Sequence, residues 1–164
     1  MNNKFLLLVA VVLVVFGITK PNFNFPINRP VDVVDSIVII TPPSDPELKK
    51  LCEPVIDAFN VDVGNKKQDA KRLSDLYMDL ATLVELDGEN EVVKTTEEIR
   101  QANSLSGVML RLNLKGVYPN LSAACQSLIS SQIGDDMVPL DTNLRSKSAN
   151  AFRALAWACN ESRK

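Results

Sequence analysis

Few side chains in this chain of 164 residues are suited to catalysis, and histidine is absent. Its absence excludes Ser-His and Cys-His nucleophilic catalysis, histidine-ligated zinc or haem, and pH switching by imidazole. Among the carboxylates, Asp135 and Asp136 could together bind a divalent cation, although paired acids in loops are more often simply solvated. Asp87, Glu89 and Glu91 alternate as in a calcium loop but lack its glycine and distal glutamate. We therefore predict no catalytic residue, metal ligand or cofactor.

Three cysteines, Cys52, Cys125 and Cys159, each fall on the apolar stripe of a different predicted helix. One interpretation is that they are buried thiols that serve as small hydrophobic side chains. The other is that two of them form a disulfide after export to an oxidising compartment. Their spacing does not choose among the three pairings. There is no C-x-x-C motif, so neither thioredoxin-like redox chemistry nor c-type haem attachment is indicated.

An apolar run, residues 5–18, follows a short start that carries one lysine, and this pattern is typical of a secretory signal. As a helix the run would span about 21 Å, less than the roughly 30 Å hydrocarbon core of a bilayer. Cleavage after Gly17 and retention as an anchor extended to Lys20 are both compatible with the residues present; a buried core helix is the less favoured alternative. Residues 1–19 are thus predicted to be a signal peptide or an N-terminal membrane anchor, with the rest of the chain on the non-cytoplasmic side.

Residues 20–45 are predicted to form an extended linker, because five of the nine prolines lie in this range and a sixth, Pro46, directly follows it. Within the linker, residues 31–40 are rich in β-branched side chains and predict a single strand. The strand needs a partner. Packing against its own domain is the preferred interpretation, and edge pairing with another chain is the alternative. In the alternative, the strand presents an interface composed of Val31, Val33, Ile37 and Ile39.

Residues 46–164 are predicted to fold as an all-α domain, an irregular bundle of about five amphipathic helices. The first helix has Ser44 or Asp45 as its cap and Pro46 in its first turn, and it should bend at Pro54. Its apolar stripe includes Leu48, Cys52 and Val55. The second helix is predicted over residues 66–86, where Lys66, Lys67, Lys71 and Arg72, interrupted by Asp69 and Asp75, form a solvated face.

The remaining three helices have recognisable start signals. The third begins near Glu89 or at Thr95, where Thr95 and Glu98 have capping-box spacing. The fourth is predicted to have Asn120 as its cap and to stop at Gly134. The fifth begins at Asp141 or Thr142 and presents an apolar stripe that contains Leu144, Ser148, Ala151, Phe152, Leu155 and Cys159.

Trp157, the only tryptophan, lies about 200° around the fifth helix from the centre of that stripe. A tryptophan off the core face is often an interface anchor. A last helix that is buried on all sides would also explain it, and the alanines at 154, 156 and 158 favour that explanation slightly.

The formal net charge of −2, with 23% charged residues, argues against a nucleic-acid surface. The preferred hypothesis is a non-enzymatic, exported or membrane-anchored helical domain that acts by protein–protein contact. Such a domain would suit an envelope accessory protein or a membrane-associated virion component. One alternative is an exported carboxylate-dependent hydrolase of cell-wall glycans. Another is a small-ligand-binding domain, which a deep polar-lined pocket would reveal. The oligomeric state is not predicted.

Overall fold

The computed structural model describes residues 40–62, 66–86, 93–114 and 118–164, without the side chains of Lys66, Leu86 and residues 107–114. Helices account for most of the residues in these ranges. They are α1 (Pro46–Leu51), α2 (Glu53–Asp62), α3 (Lys66–Leu86), α4 (Thr96–Leu114), α5 (Pro119–Ile133) and α6 (Thr142–Glu161). The described ranges contain no strand, and their isolated antiparallel bridge joins Thr95 to Pro139. The predicted all-α class is confirmed.

The first predicted helix is divided into α1 and α2 by a single residue, Cys52. The backbone N–H of Cys52 donates to Lys49 O at 3.1 Å, which tightens the last turn of α1. Pro54 then occupies the second position of α2, where no intrahelical partner for its missing N–H is needed. The helix predicted to bend at Pro54 is therefore interrupted two residues before the proline.

Helix α6 lies at the centre of the described structure and packs against α1, α2, α3 and α5. Most of its circumference is buried, and five of its nine buried side chains are alanine. The buried side chains are Ser148, Ala149, Ala151, Phe152, Ala154, Leu155, Ala156, Ala158 and Cys159. Helix α3 makes the most extensive contact with α6, and the Ser74 hydroxyl donates to Ala156 O at 2.8 Å across it.

Three of the helices begin at one of the two candidate capping residues that the sequence offered for each. Asp45 accepts from Glu47 N at 2.9 Å at the start of α1, and Asp141 accepts from Leu144 N at 2.7 Å at the start of α6. At α4 the capping box is complete, because the Thr95 hydroxyl accepts from Glu98 N at 3.3 Å and the Glu98 carboxylate accepts from Thr95 N at 3.0 Å.

Helix α5 begins differently from the prediction, and Asn120 is not its cap. The helix starts at Pro119, and the Asp62 carboxylate at the end of α2 accepts from Asn120 N at 2.9 Å and from Leu121 N at 3.1 Å. Asn120 itself donates to Asp62 through its side chain at 2.8 Å. A carboxylate is a stronger acceptor than an amide and is favoured at the positive end of the helix dipole. The far end is as predicted, since Gly134 ends α5 with φ of 71°.

The predicted signal or anchor (1–19), nearly all of the predicted strand (31–40) and most of the linker (20–45) lie outside the described residues. The strand residues proposed as an interface, Val31, Val33, Ile37 and Ile39, lie outside them as well. Residues 40–45 are described and form neither helix nor strand. Among the helices that the structure describes, none combines the length and the hydropathy needed to cross a membrane.

Candidate functional site

A cleft of about 640 Å³ lies between α4 and α5, with α3 beneath it. Leu73 and Tyr77 of α3 form its floor, and both are buried. Polar side chains of α4 and α5 line its walls: Glu97, Arg100, Gln101, Asn103, Ser104, Ser122 and Gln126. Ser104 and Pro119 at its edge are exposed, so the cleft is open to solvent on one side. Its volume is within the range typical of ligand sites.

A chain of hydrogen bonds connects the three helices at the base of the cleft. The Tyr77 hydroxyl donates to Asn103 Oδ1 at 2.9 Å, and Asn103 Nδ2 donates to Gln126 Oε1 at 3.0 Å. The Tyr77 ring stacks on Phe152 of α6, with 6.0 Å between the ring centroids. Tyr77 and Asn103 are buried, whereas Gln126 is half-buried on the cleft wall. The polar groups of the cleft are therefore fixed to the core and aligned in advance of any ligand.

The α4 wall is also attached to the segment that follows α5. The Arg100 guanidinium donates to Gly134 O at 2.7 Å and to Asp136 O at 3.2 Å. The Thr96 hydroxyl donates to Asp136 O at 2.6 Å. Arg100 also pairs with Glu97 at 3.3 Å, and Gln101 donates to the same carboxylate at 3.1 Å. The charge of Glu97 is thereby balanced inside the wall, which presents no net charge to a ligand.

The carboxylates singled out from the sequence do not form a site in the described residues. Asp135 and Asp136 are exposed, and it is the backbone of Asp136 that Arg100 binds. Asp87, Glu89 and Glu91 lie outside the described residues. Within the described ranges, no three acidic or cysteine side chains lie close enough to hold a metal ion. The cleft brings one described carboxylate, Glu97, to its wall, whereas a glycosidase uses two.

All three cysteines are buried free thiols, and no disulfide joins them. Burial raises the pKa of Cys52 to about 12 and that of Cys125 to about 12, and it raises the pKa of Cys159 well above its usual value. Cys125 lies beside the Tyr77 hydroxyl at the cleft, but its thiol is not ionised near neutral pH. The buried, protonated thiols agree with the interpretation of the cysteines as small hydrophobic side chains. They do not agree with a cysteine that acts as a thiolate nucleophile.

A buried carboxylate lies behind one end of the cleft. Asp69 of α3 is 3% exposed, and its Oδ1 has no hydrogen-bond partner among the described residues. Burial raises the pKa of Asp69, while the Arg72 charge and a hydrogen bond from Tyr118 oppose the rise. Tyr118 in turn lines the cleft. The prediction that Asp69 belongs to a solvated face was wrong, although Lys71 and Asp75 do form an exposed ion pair there, with 2.6 Å between Nζ and Oδ2.

Trp157 is half-buried on the outer side of α6, between the exposed Asn150 and the half-buried Arg153 and Asn160 on the helix surface. The Lys49 ammonium of α1 lies over its ring, 6.0 Å from the centroid, in a cation–π arrangement. The indole is thus neither fully buried nor fully exposed for contact with a partner, because α1 covers part of it. Trp157 is not among the residues that line the cleft.

Sequence reasoning missed the residues that give the cleft its chemistry, namely Tyr77 as a hydrogen-bond donor, Asn103 and Gln126. The sequence does contain a signal that Asn103 and Asp69 are buried. Asn103 lies four residues after Ile99, and Asp69 lies four residues before Leu73, so each falls on the apolar stripe of its helix. A polar residue at such a position must find a partner in the core or bear the cost of burial.

Cysteine alkylation tests the state of the thiols. At pH 8 the native protein should react with iodoacetamide at least about a thousandfold more slowly than the urea-unfolded protein, because thiols with a pKa near 12 are almost fully protonated. Without reductant, the unfolded chain should take up three adducts by intact-mass analysis, one for each cysteine. A single adduct on the unfolded, unreduced chain would reveal a disulfide and contradict the structure.

Replacement of the Asp69 carboxylate tests the free-energy cost of burying it. Asp69→Asn should raise the free energy of unfolding at pH 7 by about 1 kcal/mol, because the folded wild type buries a charged oxygen without a partner. As the pH falls through the raised pKa of Asp69, protonation removes this cost, and the advantage of the variant should fade towards pH 4, near the unfolded pKa of about 3.9.

Urea unfolding at pH 7 and pH 4 measures the stability gain of Asp69→Asn and its loss at the lower pH. Asp75→Asn is the matched control, because Asp75 is exposed on the same helix, and its replacement should change the free energy by no more than about 0.5 kcal/mol at either pH. An equal loss of stability in Asp69→Asn at both pH values would show that the carboxylate makes favourable contacts instead.

Comparison of the chain with protein-family models, with curated proteins and with solved structures gave no match. Function must therefore be inferred from the chemistry of the site itself. That chemistry is a charge-balanced, hydrogen-bonding cleft, fixed by Tyr77 to the central helix.

Proposed function

We propose that this chain is a non-enzymatic helical binding domain, exported or held at a membrane by residues 5–18, that acts by contact with a partner protein. The observation that carries the proposal is the preorganised cleft between α4 and α5. Its polar groups are aligned through Tyr77, Asn103 and Gln126, so a partner can use them without first ordering them. Preorganised polar groups of this kind orient a bound partner and set its specificity.

The groups that line the cleft favour binding over group transfer. Its described serine hydroxyls, on Ser104 and Ser122, have no imidazole to activate them, because the chain has no histidine. Its thiol, on Cys125, is protonated at neutral pH. Its described carboxylate, on Glu97, is already bonded to Arg100 and Gln101. What these walls offer is hydrogen bonding by amides and hydroxyls.

The open side of the cleft favours a macromolecular partner. Small-molecule sites enclose most of the ligand surface and are lined mainly by apolar groups. Here the walls carry polar side chains beside apolar ones, and Ser104, Pro119 and Ala123 are exposed at the edge, where a larger partner can extend beyond the cleft. A small ligand remains the second candidate, because a volume of about 640 Å³ is sufficient to hold one.

Site-specific photo-crosslinking in the native cells tests the proposal. A benzophenone amino acid at position 104, at the edge of the cleft, should yield a discrete protein adduct in the membrane or exported fraction. The same group at position 75, an exposed site on α3 away from the cleft lining, serves as the matched control and should yield none.

Equal labelling at the two positions, or no protein adduct at position 104, would contradict the proposal. A small molecule that copurifies with the native protein and is found by native mass spectrometry would then favour the second candidate. An adduct confined to the cytosol would contradict the proposed location while leaving protein contact intact.

A further inference from the structure

The hydrogen-bond chain at the cleft has a direction, and the direction determines what its last member can bind. Tyr77 has one hydroxyl proton and donates it to Asn103 Oδ1, so the Nδ2 group of Asn103 is the one that donates to Gln126 Oε1. The carboxamide of Gln126 is thereby oriented with its Nε2 group away from Asn103. Among the described residues, no atom accepts a hydrogen bond from this Nε2.

Gln126 consequently presents a donor and an acceptor side by side. Its Nε2 has two N–H groups to offer, and its Oε1 has a second lone pair after accepting from Asn103. Because Gln126 is half-buried on the cleft wall, these groups are available to an occupant of the cleft. A single residue of an extended polypeptide presents the complementary pair, its own C=O and N–H, on one edge.

We infer that the cleft binds an extended polypeptide segment by its main chain, with the Gln126 carboxamide paired to the C=O and N–H of one residue. This inference rests on the proposed function and names the form that the partner takes at the site. Main-chain recognition of this kind supplies affinity without requiring a particular sequence, and nearby side-chain contacts supply the specificity.

Charge and size agree with a neutral main chain. Glu97 and Arg100 neutralise each other in the α4 wall, so the cleft does not select for a charged ligand. From Pro119 to Gln126, α5 advances about 10 Å along the cleft, the length of about three extended residues. The two aromatic rings that line the cleft, Tyr77 and Tyr118, are 1% and 7% exposed, so neither offers the open ring face on which a sugar ring would stack.

The test uses the full chain in detergent micelles and a displayed library of random dodecapeptides. Peptides enriched on the wild type should lose at least tenfold in affinity for Gln126→Glu. This variant keeps the oxygen that accepts from Asn103 but replaces the two Nε2 donors by a second acceptor. Gln132→Glu is the matched control and should bind as the wild type does, because it makes the same charge change near the end of α5, outside the cleft lining.

A second measurement distinguishes the main chain from the side chains of the peptide. Replacement of one backbone amide of a selected peptide by an ester removes an N–H and weakens a carbonyl, and it should cost about tenfold in affinity at one position along the peptide. Failure to enrich any peptide, equal binding to Gln126→Glu and wild type, or selective binding of an oligosaccharide panel would each overturn the inference. If protein adducts at position 104 persist in that case, the partner presents a folded surface; if they are absent too, the proposed function fails.

Discussion

The structure depends on the close packing of α3 against a central helix, α6, whose buried surface is rich in alanine. Alanine at positions 154, 156 and 158 leaves room for neighbouring backbones, and the distance between packed helices is set by the side chains at their contact. The Ser74 hydroxyl reaches Ala156 O across this contact, and the Cys52 thiol reaches Ala154 O at 3.5 Å from the other side. Because α1, α2, α3 and α5 all pack on α6, a larger side chain there would displace several helices together.

The cleft inherits its rigidity from this core, but its two walls are attached differently. Helix α5 packs directly on α6, whereas α4 packs on α3 and α5 and is connected by hydrogen bonds to its surroundings. Those bonds run through Asn103 to Tyr77 and through Arg100 and Thr96 to the segment after α5. Polar contacts of this kind specify one arrangement and cost free energy if one partner is lost. The site therefore combines a floor fixed by apolar packing with a wall whose position is set by directional bonds.

The helices and their caps could be predicted from the sequence because the signals are local. Apolar periodicity identified residues 66–86, and capping spacing gave Thr95 as one of two candidate starts of α4 and Asp141 as one of two candidate caps of α6. The contacts that make the site were not predictable in this way, because they join residues distant in sequence. Asp62 caps a helix that begins 57 residues later, at Pro119, and no residue near Asn120 in the sequence indicates this contact. The position of Asn103 on the apolar stripe of α4 indicates that it needs a partner, but it does not indicate that the partner is Tyr77, 26 residues away.

Native-state hydrogen exchange, read at residue resolution, tests the central role of α6 most directly. Amides from Ala149 to Cys159 should exchange only through global unfolding, with an opening free energy equal to the unfolding free energy measured in urea. Amides of α4 from Ile99 to Ser106 should open at a lower free energy, because this helix packs on α3 and α5 and makes no extensive contact with α6. Equal protection of both helices would leave the central role of α6 unsupported, and faster exchange in α6 than in α4 would contradict it.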